Sequence, residues 1–241
     1  MTTLALDRPH DGVAVIRLDR PEVRNAMDRP MLAELVEAIA ALAADGTVRA
    51  LVFSTTNERA LCAGADVGEP LTEAEGVERM EAFTRLYAAV EAFPGVTIAV
   101  CVGNAVGAGA ELAIGCDLRV GGDNLKLRFP GATLGVPVGP ARLVPLVGLS
   151  RAKELIFTGR VVTLDEALAV GLIHRGVPAA QADAAGVALA VEVASHPAAG
   201  IRRLKDRFRA LEGSAGRVAV ENAGLVEFQR SGGGLPQGAR G

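Results

Sequence analysis

The chain has 241 residues, of which 50% are hydrophobic and 22% are charged, and this composition predicts a globular protein with a substantial core rather than a disordered chain. Its formal net charge is -3, and only 3% of its residues are aromatic. Because a nucleic-acid-binding surface needs clustered basic residues with stacking aromatics, we expect no nucleic acid among its partners.

The N-terminal half alternates between strand-like and helix-like sequence patterns. In chain order, these patterns predict a half-buried strand at residues 12–19, a helix at 28–45, a buried strand at 49–55, a helix at 73–93, a buried strand at 96–103 and a helix from Gly107 onward. Strands that alternate with helices are typical of parallel sheets with helical crossovers, so the sequence predicts an α/β fold.

The C-terminal third is predicted to be a helical layer, because strand patterns nearly vanish beyond Leu143. Each predicted helix there carries a capping residue or a terminal glycine, and the segments are 150–159, 163–171, 180–196 and 198–213. The last residues, 231–241, are rich in glycine and are predicted to form a flexible tail.

Two segments are candidates for a signal peptide and for a membrane span. Asp7 and Arg8 stand where a signal peptide would need an apolar run, so we expect a cytoplasmic protein. Residues 92–110 carry no charge and are long enough to span a bilayer, but a proline and several glycines interrupt them. A buried strand followed by a turn and a helix start is therefore favoured, and we expect no membrane partner.

The cysteines are Cys62, Cys101 and Cys116, and they are widely spaced within apolar runs. Their odd number and the absence of a CxxC pair predict buried free thiols in a reducing compartment rather than a disulfide framework. The sequence has no HExxH motif either, so no metal site is expected.

Residues 103–117, GNAVGAGAELAIGCD, place glycines and one acid, Glu111, at the predicted start of a helix. A strand that ends in glycines and turns into a helix presents unpaired N–H groups, which favour an anion. Neither the GxGxxG order nor a P-loop Lys-Ser/Thr is present, so a bound phosphate is disfavoured and a transient oxyanion is the alternative. Residues 60–69, ALCAGADVGE, follow a buried strand in the same way and predict a second donor.

Four segments together resemble the crotonase superfamily, also called the enoyl-CoA hydratase/isomerase family. They are LDRPEVRNAMDRPM at 18–31, LCAGADVGE at 61–69, GNAVGAGAELAIGCDLRV at 103–120 and ELIFTGRVVTLDEALAVGLIHRGVP at 154–178. The resemblance implies a crotonase-like ββα spiral core over 1–177 and a C-terminal helical trimerisation region over 178–230. It also implies a homotrimer or a dimer of trimers.

The resemblance further implies an acyl-CoA thioester substrate, whose carbonyl oxygen accepts from the backbone N–H groups of Ala65 and Ala108 while an enolate forms. Glu111 falls where the hydratases keep one of their two catalytic glutamates. Coenzyme A is part of the substrate, so no separate cofactor is expected. The residues implied to bind the substrate and its coenzyme A are Val23, Arg24, Ala26, Ala63, Gly64, Ala65, Asp66, Val67, Gly107, Ala108, Gly131 and Leu134.

One departure concerns the second hydratase glutamate, because RFPGATLG has Gly131 in its place and the following loop, 136–143, is shorter than usual. Two carboxylates hold and activate a water in hydration, and one carboxylate cannot take both roles with the same geometry. Two hypotheses remain. The chain is either an enzyme on acyl-CoA thioesters, as an unusual hydratase or a one-acid isomerase or lyase, or a catalytically silent acyl-CoA-binding protein.

Structural roles compete with the functional ones at several charged residues. Glu111 is either a proton carrier or a structural acid that accepts from backbone N–H groups, and Asp66 and Asp117 are also interpreted as turn or packing carboxylates. His174 is expected at a helix-to-loop junction. The basic run at 201–209 is either a solvated helix face or a contact to coenzyme A phosphates.

Overall fold

A computed structural model describes residues 2–235 of the chain. The strands within these residues are β1 (Leu4–His10), β2 (Val13–Leu18), β3 (Ala50–Thr55), β4 (Ala60–Cys62), β5 (Val96–Cys101), β6 (Asn104–Val106), β7 (Leu118–Gly122), β8 (Lys126–Arg128), β9 (Val161–Val162) and β10 (Arg175–Val177). The α-helices are α1 (Arg29–Asp45), α2 (Glu73–Ala92), α3 (Ala108–Gly115), α4 (Gly131–Leu134), α5 (Pro140–Thr158), α6 (Leu164–Ala169), α7 (Ala182–Ala194), α8 (Ala198–Glu212) and α9 (Ser214–Arg230).

The strands form two sheets, and the chain passes from one sheet to the other in a repeating order. One sheet has six strands in the order β1-β2-β3-β5-β7-β10, and the other has four in the order β4-β6-β8-β9. Strands β3, β5 and β7 of the first sheet are each followed by β4, β6 or β8 of the second and then by a helix. This ββα repeat is the spiral that the resemblance implied.

Most pairings between strands are parallel, as the crossover helices require. Val52 of β3 lies opposite Ile98 of β5, and Val100 of β5 lies opposite Val120 of β7. The exceptions are β1 with β2 and β8 with β9, which are antiparallel. Strand β1 was not predicted, and the four-stranded sheet was not predicted either.

Capping residues fix the starts of the first two helices. The Asp28 carboxylate accepts a hydrogen bond from the Met31 N–H at 2.9 Å. Thr72 and Glu75 form a capping box, in which the side chain of each accepts from the backbone N–H of the other. Such caps satisfy N–H groups that have no partner inside a helix. The predicted helices at 28–45 and 73–93 are confirmed to within one residue.

The C-terminal third is helical, as predicted, but α5 begins ten residues before the predicted segment at 150–159. Gly148 interrupts it with φ 77° and ψ 160°, so the helix changes direction there. Helix α7 packs directly on β3 and β5, since a Cβ at Gly186 would collide with the Val100 side chain. The trimerisation role of 178–230 stays a prediction.

The end of the chain is described only in part. Residues 231–235 follow α9 without a helix or strand, and residues 236–241 of the predicted tail lie outside the described part. Within the described part, no single helix is long and apolar enough to cross a membrane. The segments Ala179–Ala194 and Ala198–Glu212 pass that test only as a pair bent by 104°, which is weak evidence.

The cysteines Cys62, Cys101 and Cys116 are buried free thiols, as predicted. Burial raises the pKa of Cys62 and of Cys101 to about 12 and raises that of Cys116 as well. The thiols are therefore protonated at neutral pH and buried in the core on β4, on β5 and at the end of α3.

One member of the basic run at 201–209 is not solvated. The Lys205 ammonium is buried and donates to the Gly95 carbonyl at 2.9 Å and to Asp117 at 2.7 Å. Asp117 also accepts from the Thr97 N–H at 2.7 Å. Lys205 thus fastens α8 to the sheet, and Asp117 has the packing role that was one interpretation of it.

Candidate active site

Two glycine-containing turns lie side by side at the ends of β4 and β6, which are parallel neighbours. A Cβ at Gly64 would lie 3.2 Å from the Val106 carbonyl oxygen, and one at Gly109 would collide with the Cys62 carbonyl. Gly64 also has φ 112°, which side chains rarely adopt. The two turns therefore contact each other through backbone atoms, which only glycine permits here.

The backbone N–H groups of Ala65 and Ala108, one in each turn, are among those that have no acceptor within residues 2–235. On either side of Ala65, the Gly64 carbonyl accepts from the Met27 N–H at 2.8 Å and the Asp66 N–H donates to the Met27 carbonyl at 2.9 Å. The neighbours of Ala65 are therefore hydrogen-bonded to Met27, while the Ala65 N–H is not. Ala108 is the first residue of α3, where a helix has no internal acceptor for the N–H. They are the two N–H groups that the resemblance implied as donors to the thioester carbonyl, a role that stays a prediction, and both residues are half-buried.

Glu111 lies on the first turn of α3 and is 2% exposed. Its carboxylate accepts from Arg142 Nη1 at 3.3 Å. Burial raises the pKa of Glu111 to about 7, because the charged form is poorly solvated there; the Arg142 guanidinium opposes the rise, and Glu221 and Glu91 add to it. The carboxyl group can therefore both take up and release a proton near neutral pH.

Arg142 on α5 lies at the centre of a buried cluster of charged side chains that was not predicted from the sequence. Its Nε donates to Glu91 at 3.0 Å, its Nη1 donates to Glu221 at 2.9 Å, and its guanidinium lies 4.4 Å from the Tyr87 ring centroid. The partner of Glu111 is thus a guanidinium rather than the backbone N–H groups considered as its structural alternative. The signal available in the sequence was Arg142 itself, the single charged residue between positions 140 and 149.

Gly131 begins α4 and is buried. A Cβ there would lie 2.9 Å from the Val136 carbonyl oxygen and 3.1 Å from the Val138 carbonyl oxygen, so this backbone leaves no room for a side chain. A Cβ at Gly139 would lie 3.2 Å from Glu111 Oε1. The short loop therefore packs against the Glu111 carboxylate, and within this loop no carboxylate replaces the missing one. Leu134, at the end of α4, is 39% exposed.

The segment predicted to line the coenzyme A path lies against the first turn. Val23 ends a short 3-10 turn, and Ala63 donates to the Arg24 carbonyl at 3.0 Å. Between Arg24 and Ala26, the buried Asn25 amide donates to the carbonyls of Ala60 and Leu61. The structure thus brings Val23, Arg24 and Ala26 next to residues 63–67.

The remaining charged candidates have structural partners. Asp66 accepts from the Gly68 N–H at 3.0 Å and from Arg20 at 3.3 Å, as a turn carboxylate does. His174 Nδ1 accepts from the Arg119 N–H at 3.0 Å, and burial lowers the pKa of this imidazole. Among residues 2–235, no group of three or more His, Cys, Asp or Glu side chains could hold a metal ion.

The family model described as enoyl-CoA hydratase/isomerase matches residues 8–222. The chain belongs to the enoyl-CoA hydratase/isomerase family. The resemblance of the four segments to this family is thereby confirmed.

Several members of the enoyl-CoA hydratase/isomerase family are similar to the chain. The mitochondrial enoyl-CoA hydratase domain-containing protein 2 of Bos taurus is 39% identical over 178 residues, which is 72% of this chain and 60% of the bovine protein. The 2,3-dehydroadipyl-CoA hydratase of Escherichia coli is 32% identical and is matched over 94% of this chain and 88% of its own. The crystal structure of an enoyl-CoA hydratase from Bacillus anthracis is 27% identical, with a TM-score of 0.83 over 93% of this chain and 91% of that one. The predicted crotonase-like fold is confirmed.

Proposed function

We propose that this chain catalyses a proton transfer at the carbon next to the carbonyl of an acyl-CoA thioester. The Ala65 and Ala108 N–H groups hold the carbonyl oxygen as the enolate forms, and Glu111 carries the proton. The observation that carries this proposal is Glu111 itself: a buried carboxyl group with a pKa of about 7, on the first turn of the helix that begins with the Ala108 donor.

The chemistry of a single acid favours isomerisation over hydration. The Glu111 carboxylate takes a proton from carbon, the C–H bonding electrons pass into the thioester carbonyl, and the same carboxyl group returns the proton to another carbon of the enolate. Hydration needs a second group on the attacking water. The crowded backbone at Gly131 supports the one-acid form of the proposal.

A second candidate is a catalytically silent acyl-CoA-binding protein. The Arg142 ion pair favours it, because a carboxylate that is 2% exposed and already bound to a guanidinium can serve the fold alone. In both candidates the coenzyme A part of the ligand lies along the residues named for it, from Val23 to Ala26 and from Ala63 to Val67.

We also propose that the chain assembles as a trimer or a dimer of trimers. Large apolar side chains of α8 are exposed, with Leu204 and Phe208 at 61% and Leu211 at 84%. Light scattering at micromolar concentration is expected to give a mass that is a multiple of three chains. A monomer would contradict this proposal without bearing on the chemistry.

The test compares the natural chain with Glu111→Gln and with Glu227→Gln, a matched change at an exposed residue of α9. Turnover of 2-enoyl-CoA and 3-enoyl-CoA thioesters and exchange of the α-proton in D2O are measured. Glu111→Gln is expected to lose about 10²–10⁴-fold of either activity. Calorimetry with crotonyl-CoA is expected to show nearly unchanged affinity, and crotonate is expected to bind more weakly to all three proteins.

The outcomes separate the two candidates. Tight thioester binding without turnover or exchange in the natural chain would support the silent protein. Unchanged activity in Glu111→Gln would show that Glu111 is not the proton carrier. Equal weak binding of crotonyl-CoA and crotonate would contradict both candidates.

A further inference from the structure

One guanidinium in the core, that of Arg142, forms ion pairs with three carboxylates. The Arg142 side chain is 2% exposed, and the side chains of its partners Glu91, Glu111 and Glu221 are 15%, 2% and 9% exposed. They come from α2, α3 and α9, so the arginine joins three helices that are distant in sequence. A single positive charge cannot neutralise three carboxylates in a poorly solvated place, and the cluster therefore favours keeping a proton on one of them.

Two of these carboxylates compete for the same nitrogen. Arg142 Nη1 lies 2.9 Å from Glu221 Oε1 and 3.3 Å from Glu111 Oε2. Its Nη2 is directed to Asn222 at 3.2 Å, which is again on α9. The guanidinium is thus held mainly by the C-terminal helix, and Glu111, the most buried carboxylate, has the longest of the three carboxylate contacts.

We propose that Arg142 and Glu221 are positioning residues that set how readily Glu111 takes up and releases its proton, so that α9 acts on the active-site acid through one shared nitrogen. This inference rests on the proposed role of Glu111 as the proton carrier. It adds a residue of the C-terminal helix to the machinery of a site that is otherwise built from the spiral core.

The other groups around Glu111 leave this coupling intact. The elements packed against α3 bring these titratable groups toward Glu111 and its cluster: Tyr87 and Glu91 from α2, Arg142 from α5, Glu221 from α9, and the buried thiol Cys62 from β4. Burial lowers the pKa of Arg142, but its carboxylate neighbours raise it more, so the guanidinium stays charged. Arg209 and Arg217 act on Glu91 rather than on Glu111.

The experiment follows the carboxyl carbon of Glu111 by NMR across a pH series, in protein labelled with ¹³C at the glutamate side-chain carboxyl. Glu111→Gln identifies the signal by removing it. Glu221→Gln removes the competing charge, while its amide oxygen keeps an acceptor for the Ala141 N–H, which Glu221 binds at 2.7 Å. The Glu111 midpoint is expected to move by about one pH unit toward acid.

Two further variants bracket this result. Glu227→Gln, which makes the same change on the exposed side of α9, is expected to leave the midpoint where it is. Arg142→Met is expected to move the midpoint toward alkaline pH, and the result for Glu221→Gln stands even where this severe change prevents folding. In turnover assays, the pH profile of kcat is expected to follow the midpoint in Glu221→Gln with KM for the thioester unchanged.

A Glu111 midpoint that stays fixed in Glu221→Gln, or that moves equally in Glu227→Gln, would overturn the inference. The NMR measurement needs no turnover, so its failure is distinguishable from failure of the proposed function. If Glu111→Gln loses activity but the Glu111 midpoint stays fixed in Glu221→Gln, Glu111 is the proton carrier and the coupling to Glu221 is contradicted. If the midpoint moves in Glu221→Gln but Glu111→Gln keeps full activity, the coupling is supported and Glu111 is not the proton carrier.

Discussion

Glu111→Gln should make the folded chain less sensitive to alkaline pH. Burial holds the pKa of this carboxyl group at about 7, against an ordinary value of 4.5. Between these values the folded state keeps a proton that the unfolded state has released, so the unfolding free energy falls as pH rises through this window. The difference between 4.5 and about 7 corresponds to about 3 kcal/mol. This stabilisation is present below pH 4.5 and is lost above about pH 7.

Glutamine does not titrate, so the variant lacks this loss. The attraction of the ionised carboxylate to Arg142 is already contained in the pKa of about 7, so the difference between glutamine and the protonated glutamate adds only an offset that does not depend on pH. The unfolding free energy of the variant relative to the natural chain should therefore rise by about 3 kcal/mol over the window, and most of the rise should come between pH 5 and 8.

Urea unfolding, followed by circular dichroism at fixed ionic strength and fixed protein concentration, measures this difference at each pH. Glu227→Gln is the control and should run parallel to the natural chain, because its side chain is exposed. If Glu111→Gln also runs parallel to the natural chain from pH 5 to 8, Glu111 is ionised throughout, and the reasoning from its burial is wrong.

Gly131→Glu should lower the unfolding free energy by about 1–3 kcal/mol without a gain of hydration, because its Cβ would lie 2.9 Å from the Val136 carbonyl oxygen; a faster hydration of crotonyl-CoA would show that the loop has room. Gly109→Ala should weaken both stability and thioester affinity, since its Cβ would collide with the Cys62 carbonyl and push the two turns apart; calorimetry with crotonyl-CoA checks this, and unchanged affinity would contradict the contact. Lys205→Met removes an ammonium that donates to two acceptors and should lower the unfolding free energy by about 2 kcal/mol; an unchanged urea midpoint would show that this anchor of α8 is not needed.

The sequence predicts those parts of the fold that have a local signal. The helix at 28–45 has Asp28 as its cap and apolar residues at helical spacing, and both features are local. Strands β4, β6 and β8 have three residues each, which is too short for an alternating pattern. They pair only because neighbouring strands of the spiral bring them together, so the four-stranded sheet was missed.

The candidate site divides in the same way. The turns around Ala65 and Ala108 each follow a buried strand, and parallel neighbours bring such turns together, so this pair could be predicted. The partner of Glu111 could not be, because Arg142 is 31 positions further along the chain and Glu221 is 79 positions beyond Arg142. Residues this far apart in the chain leave no local sequence pattern.

The three buried cysteines allow the opening of the folded chain to be measured by thiol modification. Thiol reagents react with the thiolate, and burial both covers Cys62, Cys101 and Cys116 and raises the pKa of each. A water-soluble alkylating agent should therefore modify the chain only when it opens, at a rate set by that opening. The sulfur of Cys62 accepts from the Gly64 N–H at 3.3 Å, so the alkylation rate of Cys62 would report how often the first turn of the site opens. The alkylation rate of Cys101, on β5, would report how often the six-stranded sheet opens.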